Sequence, residues 1–484
     1  MGSESGTVSG IVKTLAGQWS KFSLQIAGTA ILARILTPSD YGTVAMIMAI
    51  VGVGSLLADF GLSLASLRSP NMSGQERSNL LWANILIGSF VALMLALLAS
   101  NIARFYGQSS LEPLVVFLSI TFILQAAAAQ FKAHVAGRGF FGRMMLVEVI
   151  SQLLATSLAI LLAVHGSGYW ALACQQVFLF AFQLIGYVVV SRWIPSLPRK
   201  ILTVKQHFVF GTKTSSSQLI NYISSNVDTI AIGRTWGPAS LGVYNQAFMI
   251  FKMPVQQIAA PLTHVIVPAL SRSSEADFVR QAVRLQGALT YVVGGAFIVL
   301  ASVAGEFVNL LLGPGWGGVA PIFTILALGG IFQVLGYVYY WVFIVKNLTG
   351  RQLIVGGAAR IIMAISIVYC VQWGAMGVAW AVTGGLILNW VFLTLFVLPF
   401  AGVIRRDFVL PALRPLIILA VGFAATKVFH LLVPDRLADV MILPGSAIVW
   451  IIVLLLGAVV WKSLREDLFQ LLVVMKGNTR RRAQ

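Results

Sequence analysis

The chain has 484 residues, is 58% hydrophobic and only 10% charged, and carries a formal net charge of +18. Its mean hydropathy is +0.90, and its apolar runs reach about 18 residues or more, which excludes a soluble globular domain and points to a polytopic membrane protein. The runs are continuous rather than alternating, which excludes a β-barrel, and helices satisfy their own backbone inside a bilayer.

In chain order the hydrophobic pattern predicts fourteen spans. They cover 11–34, 41–66, 79–101, 112–134, 145–164, 169–192, 208–234, 241–268, 286–312, 319–345, 353–372, 375–400, 408–433 and 440–461. The seventh holds Lys213, Gln218, Asn221, Asn226 and Asp228, too polar for hydropathy alone. It is identified by repetition. Residues 13–50 return at an ungapped offset of 200, with Lys13, Thr14, Gln18, Thr29, Arg34, Pro38, Gly42 and Ile50 matched by Lys213, Thr214, Gln218, Thr229, Arg234, Pro238, Gly242 and Ile250. Gly142-Arg143 returns as Gly350-Arg351, and Gly166, Ala171 and Ala173 as Gly374, Ala379 and Ala381. Spans 1–6 and 7–12 are therefore expected to be two six-helix lobes. An even number of spans per copy keeps both in one orientation, so their pseudo-twofold axis lies along the membrane normal. The expected divisions are 1–200, 201–404, two extra C-terminal helices over 405–464, and a basic tail over 465–484.

Basic residues set the orientation. Of the 33 lysines and arginines, 23 fall on one side, including Arg68, Arg77, Lys132, Arg138, Arg143 and Arg480 to Arg482. The opposite loops hold only Arg34, Arg104, Arg234 and Arg436. Both termini are thus expected in the cytoplasm, and the positive charge is explained by topology and anionic lipid rather than nucleic acid. The outer loops are short, about 6–13 residues, too small for a catalytic domain. The five histidines are scattered, and Cys174 and Cys370 sit in apolar stretches. No enzyme, cofactor or metal site is expected, and the polar N-terminus carries no cleavable signal pattern.

At 100° per residue, Thr14, Gln18, Lys21, Gln25 and Thr29 share one face of the first span. Thr214, Gln218, Asn221, Ser225 and Thr229 share the equivalent face of the seventh. Such stripes are costly against lipid, so they are expected to face other helices or a hydrated cavity. Lys252 lies mid-span, two residues before a kink expected at Pro254, and Arg360 lies about two turns into its span, out of easy reach of an interface. Asp59 and Glu148 lie near span ends, where pairing with nearby basic residues is expected. Lys21, Lys213, Lys252 and Arg360 set against Asp228 predict a cationic cavity that favours an anionic cargo. Lys21, Gln25, Lys213, Asn221, Lys252 and Arg360 are the candidate cargo residues, and Asp228 is the candidate for ion coupling. The repeated Arg-x-x-x-Pro-x-x-x-Gly elements at 34–42 and 234–242 are expected to form helix corners that pack together when the cavity is closed outward.

The stretch Leu32-Ala-Arg-Ile-Leu-Thr-Pro-Ser-Asp-Tyr-Gly-Thr-Val-Ala-Met46 resembles the first-hairpin signature of the polysaccharide transporter (Wzx/WzxC-type) flippases. Asn226-Val-Asp-Thr-Ile-Ala-Ile-Gly-Arg234, Leu241-Gly-Val-Tyr-Asn-Gln-Ala247, Pro254 and Val267-Pro-Ala-Leu-Ser-Arg272 resemble the same family's seventh and eighth spans. The resemblance implies the multidrug/oligosaccharidyl-lipid/polysaccharide exporter fold. It also implies the activity: carrying an undecaprenyl-diphosphate-linked oligosaccharide from the inner to the outer leaflet of a bacterial inner membrane. The implied partners are that lipid-linked oligosaccharide, membrane lipids, and the polysaccharide polymerase and chain-length machinery. A peptidoglycan-precursor flippase and a drug/cation antiporter share the fold. The motifs fit the polysaccharide branch better than the first, and an antiporter would call for twelve spans and an acidic cavity.

Overall fold

The computed structural model describes residues 2–59, 73–198, 218–219, 222, 224–432, 435–462 and 464–466. All regular structure among them is helical. Ten stretches among the described residues are long and apolar enough to cross a membrane. One of these, Thr349–Phe396, turns through a short 3-10 segment at Val371–Trp373 and so holds two helices. The protein is a multi-pass, all-α membrane protein.

The chain divides into two compact units, Met1–Gly242 and Val243–Gln484. The lobe boundary expected at 200–201 lies outside the described residues, as do Lys213, Asn221 and the basic tail from 467 onward.

The first unit contains α1 (Gly2–Ile35), α2 (Pro38–Asp59), α3 (Gly74–Leu97), α4 (Ala99–Tyr106), α5 (Leu111–Gly137), α6 (Phe141–Val164) and α7 (Tyr169–Ser191). It also holds the start of α8 (Val227–Pro254). Local sequence sets the ends. Pro38 opens α2, where its missing N–H is no loss, and Thr37 and Asp40 cap one another: the Thr37 N–H donates to Asp40 Oδ2 at 2.9 Å and the Asp40 N–H to Thr37 Oγ1 at 3.3 Å. Ser73 and Glu76 form the same reciprocal box at the head of α3. α8 breaks at Gly237, whose φ of 76° is open to glycine. Thus the second copy turns its corner with a glycine where the first uses a Thr-Asp cap.

Within this unit α3 packs along α5, α5 along α7, α7 along α6, and α6 along α1. Leu81, Phe131, Val135, Val147 and Tyr187 form a core at one end. Gly88 and Gly186 let helices close in, since a Cβ there would press on Ala126 and Val147 respectively. Beyond α7 the chain runs extended and is strapped to α3. Ser196 N–H donates to Ser78 Oγ at 3.0 Å, and Gln75 Nε2 donates to the Leu197 carbonyl at 2.9 Å.

The second unit holds the rest of α8, then a π-helical turn at Val255–Ala259 directly after Pro254, the place where a kink was expected. There follow α9 (Ala260–Ser271), α10 (Glu275–Leu289), α11 (Gly295–Ser302), α12 (Ala304–Leu312), α13 (Val319–Val345), α14 (Thr349–Cys370), α15 (Gly374–Phe396), α16 (Arg405–Leu432) and α17 (Asp435–Val460). α13 packs along α15 and α15 along α14, the same order as α5, α7 and α6 in the first unit. The C-terminal pair α16 and α17 pack on each other and on α11. Two polar links tie them down: Arg284 to Glu466 at 2.9 Å and His430 to Glu306 at 2.8 Å.

Trp450 of α17 fills the room left by Gly295 and Gly422, where a Cβ would collide with its indole ring. It also packs on Tyr291, Leu419 and Leu464. Trp450→Ala should therefore cost about 3–5 kcal/mol of stability. The expected result is a clear fall in the thermal unfolding midpoint of the detergent-solubilised protein, with a smaller fall for Trp450→Phe. An unchanged midpoint for the alanine variant would show that α17 is not anchored through this ring.

Candidate cargo-binding site

α1 and α6 lie side by side in one register. Gly17 sits against Met145, Lys21 against Glu148 and Gly28 against Thr156. The matching residues on α6 are Glu148, Gln152 and Thr156, spaced i, i+4, i+8 along one face. The polar stripe of the first span thus meets a second polar stripe inside its own unit. Gln152 Nε2 and Gln175 Nε2 both donate to Thr156 Oγ1 at 3.0 Å. Gln25, one turn beyond Lys21, is exposed.

Glu148 is the centre of this face. Its Oε2 accepts from Lys21 Nζ at 2.9 Å, and its Oε1 accepts from Lys132 Nζ at 2.9 Å and from the Tyr187 hydroxyl at 3.1 Å. The carboxylate side chain is 13% exposed, against 34% for Lys21 and 49% for Lys132. The acid lies beneath and the two ammonium heads lie above it, within reach of polar ligands. A buried carboxylate without partners would be strongly unfavourable, so each oxygen being filled is a condition of its presence here. The cluster sums to one positive charge: two lysines less one glutamate. It sits about two turns inside the end of the bundle that carries the α5–α6 turn.

This revises the expected charge count. Lys21 is not an unbalanced cation, because Glu148, 127 residues away in sequence, lies against it. Glu148 does pair with a nearby base as expected, namely Lys132, but it also reaches Lys21 and Tyr187. Lys132 had been assigned only to the topological excess of positive charge.

The other candidates are placed as follows. Asp228 is buried in the first turn of α8, where its Oδ1 accepts the Thr229 N–H at 2.8 Å. A negative charge there complements the helix N-terminus. Lys252 is exposed, its ammonium 4.2 Å from the centre of the Phe248 ring. Arg360 is exposed on α14, on a helix that presents Ile354, Ile361 and Ile365 outward. Both belong to the second unit. Lys213 and Asn221 lie outside the described residues. Among the described residues no cluster of histidine, cysteine and acidic side chains is arranged to hold a metal.

The two repeated corners do meet. A Cβ on Gly42 would fall on the Pro238 carbonyl and near Gly242 N, and a Cβ on Gly242 would fall on the Pro38 carbonyl and near Gly42 N at 3.1 Å. The contact is reciprocal, residue for residue. Further along α2, Gly52 makes room for Tyr222, whose hydroxyl donates to the Met48 carbonyl at 3.1 Å. Arg234 lies over the Phe105 ring at 5.7 Å.

Residues 31–321, well over half the chain, match the family model described as polysaccharide biosynthesis protein. The chain belongs to that family. Its relatives include the teichuronic acid biosynthesis protein TuaB of Bacillus subtilis (strain 168), 26% identical over 74% of this chain and 75% of its own length. The lipopolysaccharide biosynthesis protein WzxC of Escherichia coli (strain K12) is 25% identical over 67% of this chain and 68% of its own. The resemblance to Wzx/WzxC-type transporters carried by residues 32–46 and 226–272 is thereby borne out. Among solved structures, a lipid II flippase MurJ in an inward closed conformation superposes with a TM-score of 0.72 over 94% of this chain and 99% of that one, at 14% identity. An inward-facing multidrug resistance MATE family transporter gives a TM-score of 0.57 over 83% and 95% of the two chains, also at 14% identity. These likenesses fix the fold of this polysaccharide biosynthesis protein as that of a membrane transporter.

Proposed function

We propose that the protein flips an undecaprenyl-diphosphate-linked oligosaccharide from the cytoplasmic to the periplasmic leaflet of a bacterial inner membrane, for lipopolysaccharide, exopolysaccharide or capsule synthesis. The observation that carries this reading is the Lys21–Lys132 pair, two half-open ammonium groups side by side in a member of a polysaccharide biosynthesis family. A diphosphate offers two negative charges to two ammonium groups, and charge-assisted contacts of this kind are strong in a site shielded from bulk water. In this reading fourteen helices form two six-helix lobes and an appended pair, with both termini cytoplasmic, and the lobes rock to open a cationic cavity to each side in turn. The cluster end of the first unit is then the cytoplasmic end, where cargo is taken up. Lys252, Arg360, Lys213 and Asn221 are proposed to hold the sugar or diphosphate during passage, and Asp228 to couple an ion gradient. The prenyl tail stays in lipid, along the apolar outer faces of α16 and α17. The polymerase and chain-length machinery receive the product.

The test is a strain lacking its own polysaccharide flippase. The expected result is that this chain restores polymer on the cell surface, and that in proteoliposomes it exposes a lipid-linked repeat unit to a membrane-impermeant lectin. If it instead rescues a strain without its peptidoglycan-precursor flippase, and exports no polymer, the cargo is that precursor.

A further inference from the structure

Glu148 does more than balance charge. Its two oxygens take an ammonium each and a phenol hydroxyl, the donor set that two anionic phosphate oxygens would take. The three donors come from α1, α5 and α7, the elements packed around α6 at this level. The lysine heads are the exposed members and the carboxylate the covered one. A ligand arriving from the open side therefore meets the lysines first and must compete with an anion already tethered beneath them.

We propose that Glu148 is a resident counter-anion that the cargo headgroup has to displace, so that the Lys21–Lys132 pair accepts a dianionic diphosphate diester and refuses a monoanionic phosphate diester. This rests on the cargo reading above. A monoanion brings the same charge as Glu148 but lacks its tether, and the intramolecular group holds the advantage of effective concentration. A dianion spans both ammonium groups and adds a second Coulomb attraction at a site of low effective dielectric. The competitor weakens every anion alike, so only a ligand with the second attraction binds at working concentration. The same competitor assists release, since Glu148 returns to the lysines as the headgroup leaves.

The experiment uses the full chain in lipid nanodiscs and two soluble probes, farnesyl-diphosphoryl-glucose and farnesyl-phosphoryl-glucose. The wild type is expected to prefer the diphosphate by about tenfold or more, the scale set by one extra charge pair in a partly shielded site. Glu148→Gln should bind both probes several-fold more tightly, so that the monophosphate, which the wild type refuses, is now held. Glu148→Asp keeps the charge, and with it the fold, but is one methylene too short to hold both lysines, so its affinities should fall between the two. If folded Glu148→Gln binds the probes no more tightly than the wild type, the inference is overturned. Should that variant fail to fold, unchanged affinities in Glu148→Asp overturn it equally. Wild-type protein that binds neither probe removes the diphosphate cargo itself and the inference with it, whereas intact wild-type binding with unchanged affinities in the variants removes the inference alone.

Discussion

Gly42→Val is expected to reduce polymer export by an order of magnitude or more while leaving the protein folded in the membrane. At this position the obstacle to a side chain is the main chain of the opposite corner, the Pro238 carbonyl and the Gly242 nitrogen. Neither can swing aside as a flexible side chain would, so the corners have to separate. Forcing extra methyl groups into a tight contact costs about 1–3 kcal/mol. Applied to one state of a two-state transporter, that shifts the balance between closed and separated corners by about 5- to 150-fold. Two measurements check it. Export is read in the flippase-deficient strain. Corner opening is read by labelling Thr43→Cys with a membrane-impermeant maleimide, in a chain with Cys174 and Cys370 replaced by serine. Thr43 is buried in the closed corner, so faster labelling is expected in the valine variant. Gly357→Val serves as the control, because a Cβ there meets nothing. Normal export by Gly42→Val would mean that the corner contact is not part of the transport cycle.

The second large effect separates binding from architecture in the lysine cluster. Lys21→Gln with Lys132→Gln leaves Glu148 covered and without a cation, at a cost of about 1–3 kcal/mol, less than for a fully buried pair because the lysine heads reach polar surroundings. Lower thermal stability and loss of export are both expected. Adding Glu148→Gln removes the stranded charge and is expected to restore the unfolding midpoint to near the wild-type value. Export should stay absent, since no cation of this cluster remains to take up the diphosphate. Should the triple variant export polymer normally, the cluster is an ion pair that holds α1, α5 and α6 together and nothing more.

Much of the fold is legible in the residues because helix ends and corners are written locally. Proline and glycine mark the breaks: Pro38 and Pro254 lie where expected, and the corner expected over 234–242 breaks at Gly237, one residue before its proline. The pairing of the corners is legible because duplication carries its own register: Gly42 and Gly242 share an offset before any contact is known. The site is less legible. A helical projection places Lys21, Gln25 and Thr29 on one face of α1, but it does not say which helix that face meets. Lys21 and Glu148 are joined only by the way α1 lies on α6, and no local spacing encodes a partner 127 residues away. Half of the cluster was nevertheless written in the sequence. Lys132 and Glu148 each lie eight residues from Phe140, at the turn between antiparallel α5 and α6, so they had to stand side by side. Counting Lys132 as a topological charge concealed this. Tyr187 gave no signal, because a tyrosine near a span end is common at membrane interfaces.

The nature of each close approach also decides which defects a second substitution can repair. Gly17 faces the side chain of Met145 and Gly28 that of Thr156. A larger residue at either glycine can be matched by a smaller one opposite, so those positions can drift as pairs. Gly42 and Gly242 face peptide groups. Trimming a side chain opposite them creates no space, and enlarging both worsens the collision. A suppressor of Gly42→Val therefore has no partner residue at which to arise, short of re-routing the turn itself. The corner is a place where the two copies of the repeated element are barred from diverging.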